Sequence, residues 1–212
     1  MKILYIIANS KSEEESSSRK VSRELINMLM KFHPESKLEE LNLYENKIPR
    51  LEARYFESRN CIVQRKDSLT QEENDNVDRI NELVNQFISA DVYIIAAPLW
   101  NMSFPSPLKE YLDCIIQQGK TIDISEKGVK GLLGDKERRM IYVQSSGGHL
   151  PIILKNKMSQ GIKYVEDLMN IIGIKKFEEL LVDGTGFTVE SKREAEEKAI
   201  AKILPLLKSF RK

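Results

Sequence analysis

The sequence predicts a doubly wound α/β fold, with a five-stranded parallel sheet between two layers of helices. Three observations support this prediction. Five short apolar runs are typical of strands buried on both faces. Longer segments whose apolar residues recur at helical spacing follow these runs. Strand and helix therefore alternate strictly, which is the pattern of parallel strands joined by crossover helices.

Three strands are predicted in the first half of the chain. Residues 2–8 and 92–97 are continuous apolar runs, and residues 36–43 form a weaker one. Pro98 is expected to end the third strand. Two helices are predicted between the strands from apolar residues at helical spacing: Val21, Leu25, Met28, Leu29 and Phe32, then Val77, Ile80, Leu83, Val84 and Phe87. Residues 44–75 show no clean period, and a partly helical excursion is expected there.

The second half of the chain adds two strands and three helices. Residues 139–144 and 177–182 are predicted as the fourth and fifth strands. The helix after the third strand is indicated by Leu108, Leu112, Ile115 and Ile116. The helix between the fourth and fifth strands, ended by Gly173, is indicated by Ile162, Val165, Leu168, Met169 and Ile172. A closing helix, disturbed at Pro205, is indicated by Ala195, Ala199, Ile203, Leu206, Leu207 and Phe210.

Three polar loops are expected to meet at one edge of this sheet. The flavodoxin-like strand order 2-1-3-4-5 would bring together residues 10–18, 98–102 and 145–148. Residues 10–18 precede a helix, whose free N–H groups and positive dipole end favour a phosphate. A solvated loop with a serine cap is the alternative, and the three glutamates at 13–15 oppose a phosphate unless they face solvent. Gly147 and Gly148 permit close backbone approach to a ligand but equally form plain turns.

The amino-acid composition limits the partners, the cellular location and the metal sites that are expected for this protein. The 33 lysines and arginines against 32 aspartates and glutamates leave a formal net charge of +1, so neither nucleic acid nor an anionic membrane is expected. No apolar run is long enough to span a membrane and no signal peptide is evident, so we expect a cytoplasmic protein. Cys61 and Cys114 are expected to be free thiols, and no metal site is expected from two histidines.

Several of these sequence segments resemble those of a known protein family. The segment Pro98-Leu-Trp-Asn-Met102, with the helix that follows, resembles the Pro-x-aromatic-Asn-hydrophobic segment of the FMN-dependent NAD(P)H azoreductases and quinone reductases with a flavodoxin-like fold. Residues 145–148 resemble the Ser/Ala-Arg-Gly-Gly of that family, and residues 119–131 its loop before the fourth strand. The resemblance covers nearly the whole chain, and implies one FMN-binding domain over residues 1–212.

The resemblance implies a role for each matched residue. The FMN phosphate would be held by Ser10, Ser16, Ser17 and Ser18. The isoalloxazine ring would be lined by Pro98, Leu99, Trp100, Asn101 and Met102. The pyrimidine side of the ring would be covered by Ser145, Ser146, Gly147 and Gly148. No catalytic side chain is expected, because the cofactor carries the chemistry.

The implied activity is transfer of two electrons from NADH or NADPH, through FMN, to quinones and azo compounds. Both substrates would use one flavin face, so ping-pong kinetics are expected. The resemblance also implies a homodimer, for which the helix at 108–118 is the interface candidate. Two alternatives are a flavodoxin-type electron-transfer protein and a domain of this fold without flavin. Residues 9–18 lack the glycine usual in electron carriers, and the near-neutral charge is also unlike theirs.

Three departures from the family accompany the resemblance. Ser146 stands where an arginine is frequent, and residues 13–15 add an acidic run to the phosphate loop. Ile122 and Ile124 stand where aromatic residues are frequent, which implies a more aliphatic pocket. These isoleucines belong to residues 119–134, a glycine-rich stretch that is expected to be a long loop of the kind that serves as a lid.

Overall fold

A parallel five-stranded sheet forms the centre of the molecule. The computed structural model describes residues 1–57, 63–148 and 160–208. Numbered along the chain with two further strands, the sheet contains β1 (Lys2–Ile7), β2 (Lys37–Asn42), β3 (Val92–Pro98), β6 (Arg139–Ser146) and β7 (Lys176–Asp183). Their spatial order is β2-β1-β3-β6-β7, and all four pairings are parallel. The predicted fold, with its order 2-1-3-4-5, is confirmed.

Six described helices cover the two faces of the sheet. They are α1 (Ser17–Phe32), α2 (Gln71–Ser89), α3 (Ser106–Ile115), α4 (Gln160–Ile172), α5 (Val189–Ile200) and α6 (Ile203–Lys208). One apolar core lies under α1, α5 and α6, and a second lies under α2, α3 and α4. None of the helices in the described ranges combines the length and apolar character needed to cross a bilayer.

The central strands contribute alternate residues to the two cores. In β1, Leu4 and Ile6 enter one core, whereas Ile3, Tyr5 and Ile7 enter the other. All seven residues of β3 are buried. This is why the strands appear in the sequence as continuous apolar runs and not as alternating ones, since both faces are covered by helices.

Residues 119–134 differ from the prediction of a long loop. They contain an antiparallel hairpin, formed by β4 (Ile122–Ser125) and β5 (Gly128–Gly131). The hairpin is anchored on the end of α4, where the Leu133 N–H donates to the Ile172 carbonyl at 2.9 Å. This anchor lies just before the start of β7, at the amino edge of the sheet, whereas residues 10–18, 98–102 and 145–148 lie at the carboxyl ends of strands. The position of the hairpin therefore does not support the expected lid. Ile122 is buried in the core and Ile124 packs partly against it.

Several predicted boundaries also require correction. β3 ends at Pro98 as predicted, but the proline is itself the last residue of the strand, in register with Ser145, and β6 continues through Ser146. The closing helix breaks at residues 201–202 and not at Pro205, which lies in the first turn of α6, where the proline N–H is not needed. Phe32 is 40% exposed and not part of the buried face of α1.

The segment between β2 and α2 is largely irregular. Within residues 44–57 and 63–70 the regular helical structure is one 3-10 turn, Ala53–Tyr55, and α2 begins at Gln71 behind a Thr70 capping box. The expected partly helical excursion is therefore limited to that turn in the described residues. Residues 58–62, 149–159 and 209–212, which include Cys61 and Phe210, lie outside the described residues.

The contact between the hairpin and α4 requires a glycine at position 131. A Cβ on Gly131 would lie 2.4 Å from the Ile171 carbonyl oxygen, so Gly131→Ala must shift the backbone of one element. We expect a loss of about 1–3 kcal/mol in the free energy of unfolding, measured by urea denaturation. Gly134→Ala is the control, because its Cβ would have its nearest neighbour at 4.0 Å. Equal stability of the two variants would contradict the contact.

Candidate functional site

The ends of four strands meet at the carboxyl edge of the sheet and surround a cleft of about 290 Å³, the edge cleft. The loop after β1 contributes Asn9, Lys11, Glu15, Ser16 and Ser17. The ends of β3 and β6 contribute Pro98, Trp100, Ser145 and Gly147. The loop after β7 and helix α5 contribute Thr185, Gly186 and Lys192. The three loops predicted to converge therefore do so, and a fourth joins them.

The first loop ends at the N-terminus of α1, where Ser16 is the N-cap. Its Oγ accepts from the Arg19 N–H at 3.3 Å and from Asn9 Nδ2 at 2.7 Å. The Ser18 hydroxyl is fully buried, 3.2 Å from that of Ser16. Because α1 itself offers no acceptors to its first N–H groups, those of Ser17 and Ser18 have no partner within the helix, and of these two residues Ser17 lines the cleft.

The four serines predicted to hold a phosphate thus have different positions. Ser16 and Ser17 line the edge cleft, Ser18 lies buried beneath it, and Ser10 is exposed outside the lining. The Ser17 hydroxyl donates to Glu196 Oε1 at 2.8 Å, so its proton is already engaged. Ser17 is consequently suited to contact an anion through its backbone N–H rather than through its hydroxyl.

The acidic run at 13–15 is partly neutralised by its own surroundings. Arg23 Nε donates to Glu13 Oε2 at 3.0 Å. Hydrogen bonds from its own backbone N–H and from the Ser12 hydroxyl lower the pKa of the exposed Glu14 carboxyl. Of the three glutamates, Glu15 is the one that lines the cleft. Glu13 is thus paired with Arg23 and Glu14 remains ionised but exposed to solvent, which leaves Glu15 as the carboxylate of this run in the cleft lining.

A tight turn after β3 separates the edge cleft from a second cavity. The N–H and C=O of Trp100 bond the C=O and N–H of Ser103 at 2.9 and 2.8 Å, and Asn101 and Met102 have φ values of +48° and +66°. Two central residues with positive φ are typical of a type I′ turn. The Trp100 and Met102 side chains are 45% and 46% exposed at its surface.

The second cavity, the outer cleft, has a volume of about 560 Å³. Its lining comes from the same turn and from α3 and α4: Asn101, Met102, Ser103, Phe104, Lys109, Gln160, Gly161 and Tyr164. The five residues predicted to line one ring are thus divided. Pro98 and Trp100 face the edge cleft, Asn101 and Met102 face the outer cleft, and the half-buried Leu99 donates its N–H to the Ser145 carbonyl at 2.8 Å.

The loops after β6 and β7 are packed directly on each other. The Gly186 N–H donates to the Gly147 carbonyl at 2.9 Å, and the Thr185 N–H and hydroxyl both donate to the Ser146 carbonyl at 3.0 Å. The Ser146 hydroxyl, 2.8 Å from Asp183 Oδ1 and 2.9 Å from the Gly148 carbonyl oxygen, is tied within the loops. Ser145 and Gly147 line the edge cleft, whereas Ser146 and Gly148 are not among its lining residues.

Known proteins share both the sequence and the fold. Residues 1–206 match a family described as having a flavodoxin-like fold. The FMN-dependent NADH:quinone oxidoreductase of Ruminiclostridium cellulolyticum is 51% identical over 208 residues, covering 97% of this chain and 98% of the relative. The chain belongs to the FMN-dependent NADH:quinone oxidoreductase family. The resemblance that the motifs indicated is thereby confirmed.

Two further comparisons agree with this family. The FMN-dependent NADH:quinone oxidoreductase of Clostridium botulinum strain Eklund 17B is 50% identical over 205 residues, covering 95% of each chain. The solved FMN-dependent NADH-azoreductase of Bacillus anthracis, in complex with FMN, has a TM-score of 0.82 at 29% identity and covers 97% of this chain and 98% of its own. The family relation therefore spans almost the entire chain.

Six residues of the edge cleft were not among the predicted site residues. They are Asn9, Lys11, Glu15, Thr185, Gly186 and Lys192. Thr185 and Gly186 could have been predicted from the sequence, because they follow a predicted strand, as the three loops at 10–18, 98–102 and 145–148 do. Lys192 offered no such signal, since it is one of several lysines on a polar helix and its position depends on how α5 packs against α1.

The turn at Asn101 and Met102 stores backbone strain. A side chain with a positive φ costs about 1 kcal/mol relative to glycine, and Asn tolerates this region better than Met. Because the Met102 side chain is half exposed, little burial is lost on removing it. We expect Met102→Gly to unfold at a higher temperature than Met102→Ala, which keeps the strained Cβ. A lower melting temperature for the glycine variant would contradict this interpretation.

The contact between the two glycine loops can be tested in the same way. A Cβ on Gly186 would lie 2.8 Å from the Gly147 Cα, whereas a Cβ on Gly148 would have no neighbour within 4 Å. Gly186→Ala should force the loops apart and destabilise the protein by about 1–3 kcal/mol, with faster hydrogen exchange at the Gly186 amide. Gly148→Ala serves as the control and should leave both measurements unchanged. Unaltered exchange at position 186 in Gly186→Ala would argue against the packed loops.

Proposed function

We propose that this protein is an FMN-dependent oxidoreductase that passes two electrons from NADH to quinones, with azo compounds as further acceptors. The observation that carries the proposal is the edge cleft, where the N-terminus of α1 meets the ends of β1 and β3, the point at which the strand order reverses. Doubly wound sheets bind nucleotide cofactors at this switch point. The quinone acceptor and the NADH donor are supported by the 51% identical FMN-dependent NADH:quinone oxidoreductase of Ruminiclostridium cellulolyticum.

The residues of the edge cleft fit the phosphate of FMN. The N–H groups of Ser17 and Ser18 lie at the positive end of α1, an arrangement worth about 0.3–1 kcal/mol for each charge at an exposed helix end. Lys11 and Lys192 add two cations to the lining. Ser16 retains its role as the N-cap and fixes the direction in which the helix begins.

The opposite side of the edge cleft fits a planar ring. Trp100 presents an exposed aromatic surface, and Gly147 allows backbone groups to approach without an intervening Cβ. The backbone N–H of Gly147, which lines the cleft, would stabilise negative charge on the ring, as preorganised dipoles do. The outer cleft, across the turn from Trp100, is large enough for a substrate, since small-molecule sites measure about 300–1,000 Å³.

FMN, when bound, would supply the hydride chemistry that carries two electrons from NADH to the acceptor. The side chains of this chain bind and orient the reactants and need not form covalent intermediates. The Cys114 thiol, for example, is buried against the Pro49 carbonyl, and burial raises its pKa to about 12. A thiol in this state is a poor nucleophile at neutral pH.

A homodimer remains part of the proposal, as does a single domain over residues 1–212. The helix expected at 108–118 ends at Ile115, and its apolar residues Leu108, Leu112 and Ile115 belong to the core of this chain. Its exposed surface therefore offers a partner little apolar area. Met102 and Tyr164 in the outer cleft, and Trp100 across the turn from it, are each more than 40% exposed and are the apolar residues that a second subunit would cover. Sedimentation of the Trp100→Ser variant against wild type tests this surface.

The function is tested by following the visible flavin spectrum of the reconstituted protein without oxygen. NADH should bleach the bound flavin, and one equivalent of a simple quinone should restore its colour. Initial rates at varied NADH and quinone should give parallel double-reciprocal plots, as ping-pong kinetics require, and NADPH provides the comparison for donor preference. Bound FMN that neither nicotinamide reduces would favour an electron-transfer protein. A chain that does not bind FMN would exclude the proposed enzyme.

A further inference from the structure

We propose that Lys192 is a phosphate-binding residue of the edge cleft, that Glu196 positions it, and that the pair selects phosphorylated flavin over riboflavin. This inference rests on the proposed FMN site. It assigns a ligand-binding role to α5, a helix whose sequence shows only mixed charges and small apolar residues. The contacts that support it join α5 to the loop after β1 and to the first turn of α1.

Lys192 reaches the cleft from the first turn of α5. Its Nζ donates to the carbonyl oxygen of Glu15 at 2.9 Å and to that of Glu14 at 3.4 Å. An ammonium group has three donors, so a third N–H remains after these two bonds. The lysine is therefore already held against the phosphate loop while one donor and its full charge are available to an anion.

Glu196 holds α5 in the register that this lysine needs. The carboxylate is only 3% exposed, and its Oε1 accepts from the Ser17 hydroxyl at 2.8 Å. Its Oε2 accepts from Lys20 Nζ at 2.7 Å. A buried carboxylate is tolerated when it is paired and hydrogen-bonded in this way. Glu196 thus ties the first turn of α1 to α5, one helical turn beyond Lys192.

Lys192 determines the net charge in the lining of the edge cleft. The charged residues in the lining are Lys11, Glu15 and Lys192. With Lys192 the lining has a formal charge of +1, and without it the charge is zero. Glu196 lies 3.9 Å from Lys192 but is also paired with Lys20, so it does not cancel the lysine alone. A phosphate dianion therefore depends on Lys192 for the net positive field.

The predicted consequence is discrimination between two flavins that share a ring but differ in the phosphate. FMN carries a phosphate monoester that can accept the remaining Lys192 N–H, together with the N–H groups of Ser17 and Ser18. Riboflavin ends in a hydroxyl and gains little from an added cation. A charge-assisted hydrogen bond is about twice as strong as a neutral one, so the selectivity should fall when Lys192 is replaced.

The test compares FMN and riboflavin binding, by quenching of flavin fluorescence, in wild type and Lys192→Met. The variant should lose about tenfold or more in FMN affinity, with riboflavin affinity unchanged and a weaker salt dependence for FMN. Lys198→Met is the matched control, because Lys198 lies on the same helix, is 74% exposed, and pairs with Glu194 at 3.5 Å. It should bind both flavins as wild type does.

Two further variants separate a binding role from a structural one. Lys192→Arg keeps the charge and should retain most of the selectivity for FMN. Glu196→Gln keeps the size of the side chain but weakens its hold on Lys20 and Ser17, and should lower the ratio of FMN to riboflavin affinity by less than Lys192→Met does. Circular dichroism of each variant establishes that it is folded before the flavins are compared.

Distinct results would overturn the inference. An equal loss of affinity for FMN and riboflavin in Lys192→Met would mean that the lysine only supports the loop. Unchanged FMN affinity in that variant would remove Lys192 from the site while leaving the proposed function intact. A wild-type protein that binds neither flavin would overturn the proposed function and this inference together.

Discussion

Parallel pairing of β1 with β3 is the constraint on which the rest of this structure depends. Both strands are buried on both faces, and each alternates its side chains between two cores. Because the pairing is parallel, both carboxyl ends reach the same edge of the sheet. After β1 the chain continues to one side of the sheet, at β2, and after β3 it continues to the other side, at β6. This leaves room at that edge between the loop before α1 and the turn after β3. The edge cleft is a consequence of this topology.

Backbone contacts, more than side chains, shape the walls of the cleft. The loop after β7 bonds to the end of β6 and the loop beyond it through Gly184, Thr185 and Gly186. The turn after β3 is likewise joined to β6 by the Leu99 N–H. Such contacts hold irregular segments in place at the edge of a rigid sheet. They also bring the two loops so close that a Cβ on Gly186 would lie 2.8 Å from the Gly147 Cα.

Charges are distributed so that an acidic loop can still receive an anion. Arg23 pairs with Glu13 of the loop and also with Glu40 on β2, so Glu13 is held beside the edge strand of the sheet. Arg19 and Lys192 bind loop carbonyls, at Lys11 and at Glu14 and Glu15 respectively. The acidic run therefore lies in a setting that the linear sequence does not show, because the compensating cations Arg19 and Arg23 come from α1 and Lys192 comes from α5.

The sequence by itself determined the sheet order, the helices on each face and the three loops that approach one edge. Strand burial and helical spacing are local patterns, and parallel topology follows from their alternation. Only the tertiary structure decided that residues 122–131 form a hairpin, that the Ser17 hydroxyl is engaged by Glu196, and that Lys192 enters the cleft. These features depend on contacts between residues as many as 179 positions apart, which no local pattern encodes.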